Sequence, residues 1–382
     1  MLFRSVLFMG GGARFAIGLT LKPMVEELGW DRGHIGAAVA IFQVVSAAAM
    51  YFAGILADRR GPRAELAGGL FIAGCSIAAM SLVSEPWHVM LVYGILFAVG
   101  NGAASIAPVS VMVTRAYPDK TGFANAVATS GMSVGQLVLM AMFAAVLALI
   151  GWRSVFLWLG VAHLLLLPLL FAVPALSPAA QPKSPPDGMT VREAARTKPF
   201  WVLMMVYAVC GFGDFFVGTH VVAFAQDRGI DPYIAGNLLA IMGLAGLLGV
   251  LLAGAWSDRT GPVGAAAACF MVRALIFAWV LIDQSPMSVA VFALSFGLTF
   301  LVTAPLTPVF VRDAFGARHL GALTGLITMV HHIFGGIGAY WGARVFDAAG
   351  RYDQIFVVQL LVSLVAMVLM FALRRPPVAR ES

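Results

Sequence analysis

Charged residues are scarce in this chain: 24 Lys and Arg and 18 Asp and Glu among 382 residues, or 11%. A soluble chain would carry roughly 25%, so the shortage excludes a large soluble domain. Cysteine is scarcer still. Cys75, Cys210 and Cys269 sit inside apolar runs with neither disulfide nor metal spacing, and read as small packing residues. No Gly-x-x-x-x-Gly-Lys loop occurs, which leaves ATP-driven pumping unsupported. No serine–histidine–carboxylate or metal-ligand constellation falls at compatible depth, so the chain reads as no enzyme, with no cofactor and no metal. A signal-peptide cleavage site is missing too. Arg14 interrupts the opening apolar stretch, and a further apolar segment follows at once. The net charge of +6 does not indicate nucleic acid, because the basic residues fall in short loops between apolar runs.

What fills the chain is apolar: 61% of its residues are hydrophobic. Runs broken by charge, Gly and Pro place spans at roughly 2–21, 34–57, 65–84, 88–112, 122–149 and 153–175. A second set falls at roughly 199–225, 232–256, 262–282, 287–310, 320–344 and 353–373. The expected fold is an all-α membrane protein of twelve transmembrane helices in two six-helix bundles, residues 1–175 and 199–375. A Pro- and Ser-rich linker, 176–198, joins them, with Thr190 to Thr197 able to form a short surface helix, and 376–382 is a short tail. Span 1 begins almost at Met1, which leaves room for a true start upstream.

An even number of spans puts both termini on one side. That side also collects most of the basic residues, among them Arg4, Arg59, Arg60, Arg63, Arg115, Lys120, Arg259, Arg312 and Arg374. Lys22, Arg32, Arg153, Arg228, Arg344 and Arg351 fall on the other. The basic excess marks the cytoplasmic face. Both termini are therefore expected inside, in the cell inner membrane.

The chain is also written twice, offset by 200 residues. Gly54-Ile55-Leu56-Ala57-Asp58-Arg59-Arg60-Gly61-Pro62 returns as Gly254-Ala255-Trp256-Ser257-Asp258-Arg259-Thr260-Gly261-Pro262. Leu28-Gly29-Trp30-Asp31 returns as Arg228-Gly229-Ile230-Asp231, and Arg14 aligns with Asp214. Repeated halves place equivalent residues across a pseudo-twofold axis, where transporter sites lie at mid-membrane.

Twelve spans in two halves, with Gly-x-Leu-Ala-Asp-Arg-x-Gly-x-Arg between spans 2 and 3, resemble the major facilitator superfamily. The signature here is Gly54, Leu56, Asp58, Arg59, Gly61 and Arg63, with a weaker copy at Gly254, Asp258, Arg259 and Gly261. The resemblance implies that these residues latch the two halves on the cytoplasmic side and release during transport; a static turn is the other reading. Within the superfamily the chain looks like the bacterial monocarboxylate-transporter-like and oxalate/formate-antiporter-like branch. Arg14-Phe15-Ala16-Ile17-Gly18, Leu21-Lys22-Pro23-Met24, Glu27-Leu28-Gly29-Trp30, Gly151-Trp152-Arg153 and Thr219-His220-Val221-Val222-Ala223 carry that likeness. One departure matters: the span 8 arginine of monocarboxylate carriers has no counterpart between Ile234 and Trp256. Span 5 reads Gly131-Met132-Ser133-Val134-Gly135-Gln136, without the Gly-x-x-x-Gly-Pro of drug/proton antiporters.

The polar residues inside the spans are candidates for function. Arg14 lies about twelve residues into span 1, roughly 18 Å deep at 1.5 Å per residue. Asp214 has similar depth in span 7. A charge at bilayer centre costs from about 2.5 kcal/mol upward if it faces lipid, so each must face a cavity or a partner. Arg14 is expected to bind an anionic substrate group, since guanidinium and carboxylate match as a fork. Asp214 is expected to be a proton site, or a partner that releases Arg14 when substrate arrives; a permanent Arg14–Asp214 bridge is the structural alternative. His220 suits proton coupling or a plain interfacial position. The spacing of Gly321, Gly325, Thr328, Gly335, Ala339 and Gly342 turns His332 toward a close neighbour or the cavity and His331 elsewhere. The two histidines do not by themselves make a metal site, and no carboxylate or cysteine is expected to complete one. Arg273 in span 9 reads as structural, snorkelling to the cytoplasmic face. Asn101 and Ser105 in span 4, and Thr299 and Thr303 in span 10, either bond substrate or bridge helices; Gln136 and Asn237 are weaker cases. Gly100, Gly102, Pro108, Pro305 and Pro308 fit helices that bend during gating.

The expected function is secondary transport of a small organic anion, a monocarboxylate, by rocking of two bundles, with proton symport as the coupling. The alternatives are an exchanger or efflux carrier of other hydrophobic acids or drugs, and a transporter-like membrane sensor. The expected partners are the anion, protons and the bilayer. Neither the acid nor the oligomeric state is legible.

Overall fold

Peptide groups inside hydrocarbon find no water, so a spanning segment must close its hydrogen bonds internally. This chain does so with helices. The computed structural model describes residues 2–60, 62–105, 121–172, 188–316 and 318–373, without the side chains at 2–4, 51, 54–60, 62–63, 121–129, 171–172, 258, 305, 308, 320 and 321. In the first half, α1 (Leu2–Leu28), α2 (Arg32–Arg60) and α3 (Pro62–Ala79) lead into a 3-10 turn at Met80–Leu82. The fourth span is composite: α4 (Pro86–Val89), a π-helical stretch (Met90–Phe97) and α5 (Ala98–Ala103). α6 (Thr121–Ala172) is two spans in one, split where Gly151 turns the chain at φ 72° and ψ 163°.

The second half opens with α7 (Val191–Ala194), within the expected surface helix. Thr190 and Glu193 cap it reciprocally, each side chain accepting the other's backbone N–H. Then come α8 (Lys198–Asp227), α9 (Pro232–Thr260), α10 (Pro262–Ile282), α11 (Pro286–Thr299), α12 (Thr303–Phe315), α13 (Leu320–Ala349) and α14 (Asp353–Phe371). Among the described residues there is no strand, only a single bridge between Gly188 and Gly316. Eight helical segments among them are long and apolar enough to cross a membrane. Leu149, Leu252, Ile282 and Val368 stand exposed on the outside, as lipid-facing side chains do. The architecture is the expected all-α membrane fold of two pseudo-symmetric six-helix bundles.

The internal repeat survives as matched backbone geometry. Gly29 and Gly229 both adopt positive φ, 68° and 79°. Trp30 N–H donates to Val25 O and Ile230 N–H to Ala225 O, each at 3.1 Å. Such six-to-one bonds close a helix on a left-handed glycine.

One expected bend moves. The tenth span breaks at Phe300–Val302, between α11 and α12, ahead of Pro305 and Pro308. The break frees carbonyls that must find donors elsewhere. Arg273 Nη2 supplies Thr299 O at 3.0 Å, and the Tyr207 hydroxyl supplies Thr303 O at 3.0 Å.

The bundles touch at one end. Among the described residues, α2 packs on α13, α1 on α8, and α6 on α9. Gly36 faces Tyr340 and Ala343, Gly336 faces Ala40, Gly18 faces Gly218, and Gln136 Nε2 bonds Leu239 O at 3.0 Å. These contacts lie between mid-membrane and the α1–α2 and α8–α9 turns. On that face the two halves are closed against each other.

Candidate functional site

Asp214, on α8, is 3% exposed and fully engaged within its own bundle. Its Oδ1 accepts Arg273 Nη2 at 2.6 Å; its Oδ2 accepts His331 Nε2 at 3.1 Å and Cys210 Sγ at 3.4 Å. Arg273, on α10, is 2% exposed. Its remaining donors reach Thr299 Oγ1 at 3.1 Å, Thr299 O, and Cys210 O at 3.4 Å. Around this core Thr303 Oγ1 meets Cys210 Sγ at 3.4 Å, and Tyr207 shares a 2.6 Å hydrogen bond with Thr307. A buried ion pair is tolerable only when its hydrogen bonds are satisfied, and here the protein satisfies nearly all of them.

Several expectations change at this cluster. Arg273 does not snorkel: Asp214 and the broken tenth span hold its guanidinium inside the bundle. His331, expected to point elsewhere, is the histidine that meets Asp214, because Gly211 lets α13 approach α8 backbone to backbone at that residue. Thr299 has no hydroxyl proton left for an anionic substrate, since Oγ1 donates to Phe296 O at 2.8 Å while accepting from Arg273. The donor atoms of Cys210, Asp214 and His331 lie within 4.8 Å of one another, a grouping that sequence spacing hides. Arg273 occupies one carboxylate oxygen and sets a fixed positive charge beside it, which opposes a cation there.

Arg14 is placed differently. Its partner is not Asp214. Its guanidinium carbon sits 4.8 Å from the centre of the Phe215 ring and 5.3 Å from that of Phe15, a cation–π arrangement at the junction of α1 and α8. Phe15 in turn packs on Phe300 at 5.6 Å. The Tyr93 hydroxyl donates to Arg14 O at 3.1 Å and anchors the backbone. Among the described residues the guanidinium has neither a hydrogen-bond acceptor nor an ion-pair partner, and its Nε is buried without one. Arg14 is half-buried.

His332 packs on the same aromatic ring, 5.5 Å from Phe215, with Nδ1 bonded to Thr328 O at 2.8 Å and Nε2 without a hydrogen bond among the described residues. Asn101 Oδ1 lies 3.0 Å from where a Cβ on Gly10 would sit, one helical turn before Arg14 on the same face. Ser105 is buried near the end of α5. The structure thus gathers Arg14, Phe215 and His332, and withdraws Asp214 and Thr299 into a separate cluster.

His220 belongs to neither group. Its Nε2 donates to Ala339 O at 2.9 Å, and its Nδ1 receives the Tyr352 hydroxyl at 3.1 Å. Tyr352 accepts Arg32 Nη1 at 2.8 Å. This chain leads to a charge network across the closed face. Arg32 Nη2 pairs with Asp227 at 2.8 Å and its guanidinium stacks 3.7 Å from Phe346; Lys22 meets Asp227 at 3.3 Å. Asp347 accepts the backbone N–H of Arg32 and Gly33, at 3.1 and 2.8 Å, and so holds the N-terminus of α2 from the opposite bundle. Sequence reasoning missed this latch, since its residues are scattered loop charges with no shared motif.

The expected gate on the other face is only partly in view. Gly61 lies outside the described residues, as do the side chains of Asp58, Arg59, Arg63 and Asp258. Gly54 and Gly254 are helical, and Gly254 has open space where a Cβ would project. Arg259 is exposed, and Gly261 links α9 to α10 at φ 84°.

Comparison with known proteins agrees with this geometry. The family model described as Major Facilitator Superfamily matches residues 5–339 and 223–382. The chain is 26% identical to the uncharacterized MFS-type transporter YcxA of Bacillus subtilis (strain 168), over 94% of this chain and 90% of that protein. It is 23% identical to monocarboxylate transporter 13 of Rattus norvegicus, over 79% of this chain and 71% of that one. The crystal structure of a mutant of the nucleoside transporter NupG superposes with a TM-score of 0.80 at 15% identity, covering 98% of this chain and 99% of that one. With the doubled signature and the two-bundle fold, these matches establish that the chain belongs to the major facilitator superfamily of membrane transporters.

Proposed function

We propose that this transporter carries a small organic monocarboxylate across the plasma membrane by rocking of the 1–175 and 199–375 bundles about the linker, in symport with a proton. One observation carries the reading. Among the described residues Arg14 is a guanidinium in no ion pair, its Nε buried and unbonded at the junction of the two halves, while Arg273 is already paired with Asp214. An uncompensated charge in a low-dielectric setting is costly, and a mobile anion offsets that cost only while it is bound. One free cation matches one carboxylate. The Phe15, Phe215 and Phe300 rings beside it suit an apolar acid body.

The basic loops favour termini in the cytoplasm, which makes the face closed by Arg32 and Asp227 the outer one. The same aromatic surround favours, as a second reading, an exchanger or exporter of bulkier hydrophobic acids. Proteoliposomes offered radiolabelled lactate and pyruvate, with and without an inward proton gradient, test the proposal. Accumulation that rises with the gradient supports symport; exchange without accumulation supports the second reading; binding without uptake points to a sensor. Normal uptake by Arg14→Ala would remove Arg14 from the site.

A further inference from the structure

We infer that His331 carries the coupled proton, and that this proton and the carboxylate on Arg14 hold each other in place across the Phe215 ring. The inference rests on the anion reading above. His331 is the member of the Asp214 cluster that reaches out of the bundle: its side chain is 17% exposed, against 4% for Asp214 and 2% for Arg273. Its Nε2–H is committed to Asp214 Oδ2, which fixes the tautomer and leaves Nδ1 without a hydrogen bond among the described residues. A proton from water adds at Nδ1, and the imidazolium keeps its Nε2–H on Asp214. Release returns the same proton from the same atom.

The other buried titratable groups are less suited. Arg273 neutralises the Asp214 carboxylate at 2.6 Å, and both nitrogens of His220 are engaged by Ala339 and Tyr352. The groups that face His331 are Asp214 and Cys210 from α8, Arg273 from α10 through Asp214, Arg14 from α1 beyond the Phe215 ring, and His332 on its own helix.

Phe215 sets the coupling. Its ring centre lies 4.8 Å from the Arg14 guanidinium and 5.6 Å from the His331 ring. Two positive charges against one ring repel. With Asp214 and Arg273 cancelling, the empty group carries the single charge of Arg14. A proton alone doubles it, and an anion alone removes it. Both together restore it, so the empty and fully loaded groups carry the same charge and differ least in the cost of crossing between states. Each ligand therefore strengthens binding of the other.

Both distances run to one ring centre, so the charges lie at most about 10 Å apart, where an effective dielectric near 20 changes a proton affinity at least roughly tenfold. The first experiment needs no substrate. NMR of the full-length protein labelled with nitrogen-15 histidine, assigned with H331Q, reads the protonation of His331 in wild type, R14Q and R14K. R14Q is expected to bind the His331 proton about tenfold more tightly, and R14K to stay within about twofold of wild type. Equal affinity in R14Q and wild type would overturn the inference.

The second experiment uses labelled lactate and pyruvate in proteoliposomes. H331Q and H331N, two variants in case one folds poorly, are expected to keep counterflow exchange and lose stimulation by the proton gradient. Gradient stimulation unchanged in both overturns the inference. Should neither acid enter wild-type liposomes, the substrate reading falls, and the NMR result alone decides His331.

Discussion

The two halves share a fold and divide the chemistry unequally. At matching positions of the repeat, Arg14 in α1 has no hydrogen-bond or ion-pair partner for its side chain among the described residues, and Asp214 in α8 has several. The surroundings explain why. Arg273 aligns with Ala73, and where Thr299 serves Arg273 in the second half, Gly100 packs closely on Ala73 in the first. Gly211 meets His331, and its counterpart Gly11 meets Met132. The second bundle thus builds a buried polar anchor at the same place where the first packs small and apolar residues. One half is pre-satisfied, and the other presents a charge still to be satisfied. A ligand at the interface has reason to bind the second kind.

Breaking the anchor should have the largest effect. Arg273→Leu leaves a buried carboxylate without its counter-ion, a loss of about 3–5 kcal/mol, visible as a collapse of the unfolding midpoint in detergent. The double variant Arg273→Leu with Asp214→Leu should recover most of that loss. If the single variant is as stable as wild type, the pair is no anchor. Arg14→Gln should behave in the opposite way. With no ion pair or hydrogen bond to lose, only its contact with the Phe15 and Phe215 rings, stability should fall by no more than about 1 kcal/mol. Carboxylate affinity should fall about a hundredfold, the equivalent of two charge-assisted hydrogen bonds at about 1.5 kcal/mol each. Isothermal titration with a transported acid checks the second figure.

The contrast between these residues was only half legible in the sequence. Span positions, the doubled loop and the pairing of Arg14 with Asp214 follow from periodicity and an offset, which are local or repeated signals. Whether those two charges meet is decided by helix packing. The same offset also pairs Arg273 with Ala73, an asymmetry that the snorkelling reading of Arg273 passed over. His331 was misassigned because small-residue spacing selects the face of α13 that packs closely, while the ring's direction depends on how near α8 can come, and Gly211 decides that. The break at Phe300–Val302 carried no proline signal of its own. It is stabilised by donors from α8 and α10, far away in sequence.

A second matched pair sharpens the comparison at smaller scale. Glu27 and Asp227 occupy equivalent positions at the C-terminal ends of α1 and α8, at the closed face. Asp227 reaches across to Lys22 and Arg32 of the other bundle. Glu27 stays at home, accepting Trp152 Nε1 at 2.7 Å and Arg153 Nε at 3.2 Å, while Arg153 also binds Ser81 O and Val83 O. Asp227→Asn should therefore loosen the closed face. Arg32 is only 7% exposed in its side chain, so the pair is worth more than a surface one; roughly 1–2 kcal/mol, or about tenfold faster amide exchange in residues 25–34 and 225–232, is expected.

Glu27→Gln should do much less. Its partner Arg153 is 37% exposed and Glu27 51%, so screening keeps their pair within about 0–1 kcal/mol. Gln retains an acceptor for Trp152, and Arg153 keeps its two carbonyls. The unfolding midpoint should shift by a degree or two at most, and exchange at 225–232 should not change at all. Equal loosening by Glu27→Gln and Asp227→Asn would mean that the two acids act alike, and that the latch is a property of the whole turn rather than of a carboxylate that crosses between bundles.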